Sequence, residues 1–259
     1  MKRKTLLKIV LAVIVVKAIV FAVFLKLAYV PPVIMYHSID HMDRATKLSV
    51  SPESLERQME FLHKHRYNVV TLSRLASMIR NREKLPPKTI AITFDDGLYN
   101  NYRYAYPILK KYGLPATFFV IIKKIGEPGY VGWKEIKEIS DSGIITIGSH
   151  TISHLWLPSM GSAQLKDELE RSKEILEQGL GKPVDELCYP IGAHNDRVKR
   201  FVKDAGYACA VGTNPGKFSP FDDIYAIKRI KISRTSDNLF VFWAETSGYY
   251  TWVKERKDD

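Results

Sequence analysis

Apolar and polar positions alternate along the chain in blocks that predict short buried strands separated by amphipathic helices. The strand-like runs are almost wholly apolar, and most are followed by a segment whose apolar residues recur at helical spacing. The predicted strands are Val33–Tyr36, Tyr67–Val70, Thr89–Phe94, Ala116–Ile121, Ile144–Gly148, Glu186–Tyr189, Tyr207–Val211 and Ala226–Ile232. The predicted helices are Pro52–His63, Leu72–Arg80, Tyr99–Lys111, Trp133–Ser140, Ala163–Gln178, Asp196–Asp204 and Asp237–Ala244.

Strands of this kind, alternating with helices, are typical of a parallel sheet covered on its outer face. Seven or eight such units over about 230 residues predict an α/β fold, a complete or deformed (β/α) barrel. An open doubly wound sheet is the alternative, and no glycine-rich phosphate loop supports a nucleotide-binding version of it. We therefore predict one catalytic domain over residues 31–259.

The first 30 residues differ from the rest in composition. They contain six Lys or Arg and no acid, and Ile9–Leu25 is apolar apart from Lys17. With its flanks this run approaches the ~20 residues that span a bilayer, and its apolar residues offset the roughly 3 kcal/mol that a central Lys costs. We predict that residues 1–30 form an uncleaved signal-anchor in the cytoplasmic membrane, a single pass with the catalytic domain on the extracytoplasmic side. A soluble helix is the alternative.

This segment also changes the meaning of the net charge. The chain has 259 residues, with 39 Lys and Arg against 28 Asp and Glu, a formal charge of +11. Such a balance invites a nucleic-acid interpretation. Because six of the positive charges lie in residues 1–30, only +5 remains for the domain, and we expect no nucleic-acid partner. A hydrophobic content of 46% excludes a disordered chain.

Two further groups of residues are expected to be structural. Cys188 and Cys209 lie in apolar runs and are predicted to be buried thiols, with a disulfide as the alternative. The last predicted strand carries several basic residues that are expected to face solvent, with polysaccharide contact as a second interpretation: Lys228, Arg229, Lys231 and Arg234.

Candidate catalytic groups directly follow four of the predicted strands. In chain order they are His37, the pair Asp95 and Asp96, the segment His150–His154, and the turn Pro190–Gly192. Because the carboxyl ends of parallel strands meet at one end of a barrel, we expect these groups to lie close together.

The spacing of His150 and His154 lets both imidazoles reach one ion if the backbone turns after the strand. Two imidazoles and one carboxylate are a common ligand set for a catalytic metal. Asp95 and Asp96 repel each other unless a cation lies between them or they differ in role. One of them is therefore expected to bind metal and the other to act as a base. The structural alternatives are a helix cap and two unrelated surface histidines.

His37 and the turn Pro190–Gly192 complete the candidate set. An imidazole can protonate a departing amine near neutral pH. A tight turn can present a backbone N–H to the oxyanion of a tetrahedral intermediate. Taken alone, each also has a structural explanation: His37 as a histidine that only packs, and Pro190–Gly192 as an ordinary loop.

The segments TFDDG at 93–97 and SHTISH at 149–154 resemble the first two motifs of the polysaccharide deacetylase family, also called NodB-homology proteins or carbohydrate esterase family 4. The resemblance extends from about Val33 to Arg234. It implies that Asp95 is the catalytic base. It also implies that a divalent metal, most simply zinc, is bound by three residues: Asp96, His150 and His154.

The acid motif departs from the usual family pattern. No histidine follows His194, so the late Leu-x-His motif is missing. The segment Met35–Ile39 instead resembles rearranged members that deacetylate biofilm poly-β-1,6-N-acetylglucosamine, in which the acid comes from the first strand. This resemblance makes His37 the expected general acid.

The third motif departs as well. It normally carries an Arg that orients the base, and the rearranged members have an aromatic-Pro-Tyr-Gly turn, whereas here Ile191 stands in place of the Tyr. The backbone N–H of Ile191 is expected to serve the oxyanion. Arg229, near the end of the last predicted strand, is expected to orient Asp95.

The resemblance implies a hydrolase that removes N-acetyl groups from a polysaccharide containing N-acetylglucosamine, either an exopolysaccharide or a cell-wall glycan. An O-acetyl esterase and a small-amide hydrolase are alternatives on the same fold. A non-catalytic glycan-binding relative is a third, since the third motif is altered. The expected partners are the N-acetylated polysaccharide and, through the N-terminal helix, the membrane; no feature of the sequence identifies a protein partner.

Overall fold

A computed structural model describes residues 3–41, 48–213 and 223–251 of the chain. The helices, α1 to α8 in chain order, are Arg3–Ala28, Pro52–Lys64, Leu72–Arg80, Tyr106–Tyr112, Trp133–Asp141, Ser162–Leu180, Asp196–Asp204 and Leu239–Thr246. The strands, β1 to β10, are Val33–Tyr36, Ser38–Ile39, Ser49–Val50, Asn68–Val69, Thr89–Phe94, Ala116–Val120, Ile145–Ser149, Glu186–Cys188, Cys209–Val211 and Ile230–Lys231. Most predicted elements are present, with boundaries shifted by a few residues.

Within the described ranges, seven parallel strands curl into a deformed barrel. Their order around it is β10, β1, β5, β6, β7, β8 and β9. The ring closes because Ile230 of β10 pairs with Ile34 of β1, while Ile227 bridges Val211 at the end of β9. Strand β4 lies beside this ring and pairs with the first two residues of β5. The predicted barrel is confirmed, and the open doubly wound sheet is wrong.

Capping residues explain why the helices begin and end where their sequence signals lie. The side chain of Ser51 accepts the N–H of Ser54, and Pro52 occupies the first helical position of α2. Gly113 ends α4 in the left-handed conformation, with φ at 64°. These local signals set where α2 begins and where α4 ends.

Two predicted helices differ from what is observed. The segment predicted as Tyr99–Lys111 is divided into a π-helical turn, Asn101–Ala105, and then α4. Pro107 lacks the N–H that would continue an α-helix through this point. The segment predicted as Asp237–Ala244 is α8 shifted towards the C-terminus, because the side chain of Asn238 caps it.

The last predicted strand, Ala226–Ile232, is largely replaced by an irregular connection. It pairs with β9 at Ile227 and with β1 over Ile230–Lys231, because the chain crosses from one neighbour to the other. Arg229 lies in this crossing and is fully buried, whereas Lys231 is exposed. The prediction that the basic residues of this strand face solvent is therefore wrong for Arg229. Two paired residues are too few for strand alternation to set the face of each side chain.

Both cysteines lie inside the barrel. Cys188 and Cys209 are completely buried, and both are free thiols. They belong to an apolar cluster that includes Phe119 and Val211. The prediction of two buried thiols is confirmed, and the disulfide alternative is wrong.

Helix α1 contains a stretch, Lys8–Leu25, that is long and apolar enough to cross a membrane, and none of it is buried within the protein. After the helix, Tyr29 and Val30 form hydrogen bonds with the rest of the protein. The N–H of Val30 donates to the carbonyl oxygen of Gly248 at 2.9 Å, and the hydroxyl of Tyr29 donates to the carbonyl oxygen of Thr89 at 3.1 Å. A helix of this length and position fits either a signal sequence or a membrane anchor.

Candidate active site

The strand ends bring the predicted catalytic residues to one cavity. His37 follows β1, Asp95 and Asp96 follow β5, and the loop His150–His154 follows β7. Their side chains, except for those of the middle of the loop, line an open cavity of about 550 Å³ together with Ile191. The structure therefore brings together the residues that sequence spacing places at equivalent points of the barrel.

The potential metal-ligand atoms of Asp96, His150 and His154 lie close together. Oδ1 of Asp96 lies 3.6 Å from Nε2 of His150 and 3.8 Å from Nε2 of His154. All three ligand atoms lie within 4.8 Å of one another. Ligands held about 2.0–2.1 Å from one tetrahedral zinc ion are about 3.4 Å apart, so small side-chain shifts fit these three to a divalent cation. The set also leaves coordination positions for water and substrate.

Hydrogen bonding and burial favour the neutral, metal-binding form of the imidazoles. Nδ1 of His150 lies 2.8 Å from the carbonyl oxygen of Cys188 and must donate to it, so in the neutral ring the lone pair is on Nε2, which lies 3.6 Å from Oδ1 of Asp96. Burial lowers the pKa of His150 to about 4 and lowers the pKa of His154 as well. Burial and the adjacent Asp95 carboxylate raise the pKa of Asp96. Two neighbouring carboxylates beside two uncharged imidazoles favour a bound cation at this site.

The loops that carry these residues have unusual backbone conformations. Asp96, Thr151, His154 and Ile191 all have positive φ, at 71°, 64°, 54° and 57°. Residues other than glycine are unfavourable in this region and persist there when surrounding contacts hold them. Each of the three loops that follow β5, β7 and β8 thus contains strained backbone at the cavity.

Asp95 is held by a buried two-point contact with Arg229. Nη1 donates to Oδ1 and Nη2 to Oδ2, both at 2.7 Å. Arg229 also donates to the carbonyl oxygen of Gly212 and to the hydroxyl of Thr93. Burial alone would raise the pKa of Asp95, but the charge and hydrogen bonds of Arg229 lower it to about 2. The Asp95 carboxylate is therefore ionised at neutral pH.

His37 and Ile191 lie at the open side of the same cavity. Nε2 of His37 is 4.0 Å from Oδ2 of Asp95, and its buried Nδ1 has no hydrogen-bond partner among the described residues. Ile191 is 63% exposed, and its carbonyl oxygen accepts the hydroxyl of Thr213 at 3.1 Å. His37 therefore faces the carboxylate and the cavity at once, and the turn at Ile191 forms part of the cavity wall.

Cys188 contacts both halves of the site, which its sequence context did not indicate. Its thiol accepts a hydrogen bond from Nη2 of Arg229 at 3.0 Å, and its carbonyl oxygen accepts the one from His150. Burial raises the pKa of this thiol well above its usual value. Cys188 is thus a neutral packing residue between the carboxylate and the imidazole.

Glu168 is the second residue that sequence reasoning missed. It lies on α6 and accepts backbone N–H groups from Ile152 and Ser153 of the histidine loop. Its position in the sequence offers a signal, because it lies between Leu165 and Leu169 on the buried face of the helix. An acid at such a position requires hydrogen-bonding partners.

Comparisons with known proteins agree with this geometry. The family model described as polysaccharide deacetylase matches residues 82–210. YxkH of Bacillus subtilis (strain 168), whose name describes a polysaccharide deacetylase, is 35% identical over 202 residues, which are 78% of this chain and 71% of that protein. A poly-beta-1,6-N-acetyl-D-glucosamine N-deacetylase of Staphylococcus aureus (strain MSSA476) is 30% identical over 198 residues, 71% of this chain and 68% of the relative. The structure of the Streptococcus pyogenes deacetylase PplD in complex with acetate superimposes with a TM-score of 0.75 at 27% identity, covering 82% of this chain and 97% of PplD.

The chain therefore belongs to the polysaccharide deacetylase family, as the TFDDG and SHTISH motifs predicted. The deformed parallel barrel agrees with this membership. Membership supports a hydrolase that removes acetyl groups, and the cavity at the carboxyl ends of the strands is where such chemistry is placed in barrels of this kind.

Metal-free protein is expected to lose stability as the pH falls from about 6.5 to about 4. Unfolded His150 binds a proton near pH 6.5, whereas the buried residue has a pKa of about 4, so protons favour the unfolded chain throughout this interval. The full shift corresponds to about 3 kcal/mol. Urea unfolding of chelator-treated protein at pH 7 and pH 4.5 measures the loss. A His150→Gln variant is the control, and an equally steep slope in that variant would show that His150 is not the cause.

Proposed function

We propose that this protein is a metal-dependent N-deacetylase of polysaccharide that contains N-acetylglucosamine. The observation that carries the proposal is the Asp96–His150–His154 cluster with the ionised Asp95 directly beside it. The Staphylococcus aureus relative is named for N-deacetylation of poly-beta-1,6-N-acetyl-D-glucosamine, and the PplD structure contains acetate, a product of any deacetylation. These names support the choice of substrate class.

Asp96, His150 and His154 would hold a divalent metal ion, most simply zinc. When bound, such an ion polarises the acetyl carbonyl and lowers the pKa of water. The spacing of the three ligand atoms and the neutral state of the imidazoles support this assignment.

The remaining residues would carry the proton transfers. Water attacks the acetyl carbonyl carbon and gives its proton to Asp95, which Arg229 keeps ionised and aligned. The backbone N–H of Ile191 donates to the oxyanion that forms. The bond between the carbonyl carbon and nitrogen then breaks, and His37 gives the departing nitrogen a proton. The products are acetate and a free amine on the sugar.

We also propose that α1 anchors the protein in the cytoplasmic membrane with the barrel outside. The apolar stretch Lys8–Leu25 and the six positive charges in the first 30 residues support this orientation. Membrane fractionation together with digestion of intact cells by an external protease tests it. Barrel that remains protected from the protease would contradict it.

A product screen tests the proposed activity. The full chain, solubilised in detergent and loaded with zinc, is incubated with β-1,6- and β-1,4-linked N-acetylglucosamine oligomers and with peptidoglycan, and both acetate and free amine are quantified. The proposal expects equal amounts of the two products. Acetate without amine from an O-acetylated glycan would indicate an esterase, turnover of small amides alone a small-amide hydrolase, and glycan binding without acetate a non-catalytic protein.

His37→Gln is expected to slow N-deacetylation by at least about 10²-fold, because glutamine cannot protonate the amine. Hydrolysis of 4-nitrophenyl acetate is expected to change far less, since nitrophenolate leaves without a proton. His41→Gln, which changes an exposed histidine that lies beside Glu53 and outside the cavity lining, is the control. Equal losses with the two substrates would contradict the role of His37 as the acid.

A further inference from the structure

Glu168, a buried acid on α6, accepts hydrogen bonds from the loop between the two candidate metal-binding histidines. Glu168 is 5% exposed, and its Oε2 accepts the backbone N–H of Ile152 and the backbone N–H of Ser153, both at 2.9 Å. These two residues lie between His150 and His154. The carboxylate therefore contacts the part of the loop that sets the relative position of the two imidazoles.

This loop requires support from outside itself. Thr151 and His154 both have left-handed backbone conformations, which residues other than glycine adopt only when neighbouring contacts hold them. The N–H of Thr151 donates to the hydroxyl of Ser149, and its carbonyl oxygen accepts the N–H of Ile122. The next two N–H groups of the loop, those of Ile152 and Ser153, both donate to one carboxylate oxygen of Glu168. Successive backbone N–H groups of this kind commonly bind an anion.

We propose that Glu168 is a positioning residue of the metal site, whose carboxylate holds the His150–His154 loop so that both imidazoles face Asp96 before an ion binds. The inference rests on the proposed function, because the ion is the one proposed above. Glu168 acts through the loop backbone and not as a ligand. Residues that orient metal ligands typically contribute 10- to 100-fold to metal affinity, and we expect a loss in that range when the carboxylate is removed.

The test compares Glu168→Ala with Glu174→Ala, which removes an exposed acid from the same helix. Zinc affinity of the full chain in detergent is measured by competition with a chromogenic chelator. Amide hydrogen exchange of Ile152 and Ser153 is measured separately in metal-free protein. We expect Glu168→Ala to weaken zinc binding 10- to 100-fold and to speed exchange at the two amides. Glu174→Ala should match the wild type in both measurements, and saturating zinc should restore most of the deacetylase activity of Glu168→Ala.

A second variant separates positioning from general stability. Glu168→Gln keeps the shape and one acceptor oxygen, so it should bind zinc with an affinity between those of Glu168→Ala and the wild type. Zinc affinity within threefold of the wild type in Glu168→Ala, with unchanged exchange, would overturn the inference. Absence of zinc binding in the wild type would instead overturn the proposed metal site, and the exchange measurement would still decide whether Glu168 holds the loop.

Discussion

Asp95→Asn is expected to lower the rate of acetate release by about 10³-fold while the zinc content of the protein stays at the wild-type level. Asparagine cannot take the proton of the attacking water. It leaves the metal site intact, because the ligand atoms belong to Asp96, His150 and His154. The rate and the zinc content, measured on the same preparation, check both parts of the expectation.

The matched control for this variant is Asp141→Asn, which removes a carboxylate that pairs with Lys182 on the protein surface. Its rate should equal that of the wild type. Loss of zinc together with activity in Asp95→Asn would assign Asp95 to metal binding. An unchanged rate would mean that another group takes the proton.

Since Arg229 keeps the pKa of Asp95 at about 2, titration of Asp95 should not appear in the rate profile between pH 5 and pH 9.

Arg229→Met is expected to destabilise the protein by about 3–5 kcal/mol, because it leaves the buried Asp95 carboxylate without its partner. Urea unfolding at pH 7 measures the change. Arg229→Lys should have a smaller effect, since it keeps the charge but loses the two-point contact. A loss below about 1 kcal/mol in Arg229→Met would contradict the importance of the pair.

The dependence of this variant on pH gives a second check. Without Arg229, burial raises the pKa of Asp95 above its value in the unfolded chain, so protonation should favour the folded state. The stability of Arg229→Met relative to the wild type is therefore expected to improve on going from pH 7 to pH 5. Adding Asp95→Asn to Arg229→Met should restore part of the stability and remove this dependence, because the buried charge is gone.

The strand ends explain why much of the site could be predicted from the sequence. Each buried strand is a visible apolar run, and the residue that follows it must lie at the carboxyl end of the barrel. Asp96, His150 and His154 follow such runs, so their meeting at one place required only the correct fold. The contact between Arg229 and Asp95 is of a different kind, because strand β1 lies between β10 and β5 and Arg229 lies in the irregular crossing before β10.

Other parts of the site depend on packing that no local pattern reveals. The sequence pattern groups Arg229 with basic residues expected to face solvent, because its short and irregular segment resembles an alternating strand in the sequence. The contacts of Cys188 with Arg229 arise across the barrel, and those of Glu168 join a helix to a loop. The left-handed backbone of Asp96 and His154 could not be predicted from the sequence either, because glycine is the residue that usually indicates this conformation.

Metal removal and restoration during N-deacetylation of β-1,6-linked N-acetylglucosamine oligomers tests the proposed function most sharply. The full chain is treated with a chelator, assayed, and then assayed again after one equivalent of zinc has been added. We expect that chelator treatment abolishes the release of both acetate and free amine, and that zinc restores both in equal amounts. In His154→Ala, one equivalent of zinc should restore far less. Full release of both products by protein shown to contain no metal would contradict metal-dependent deacetylation.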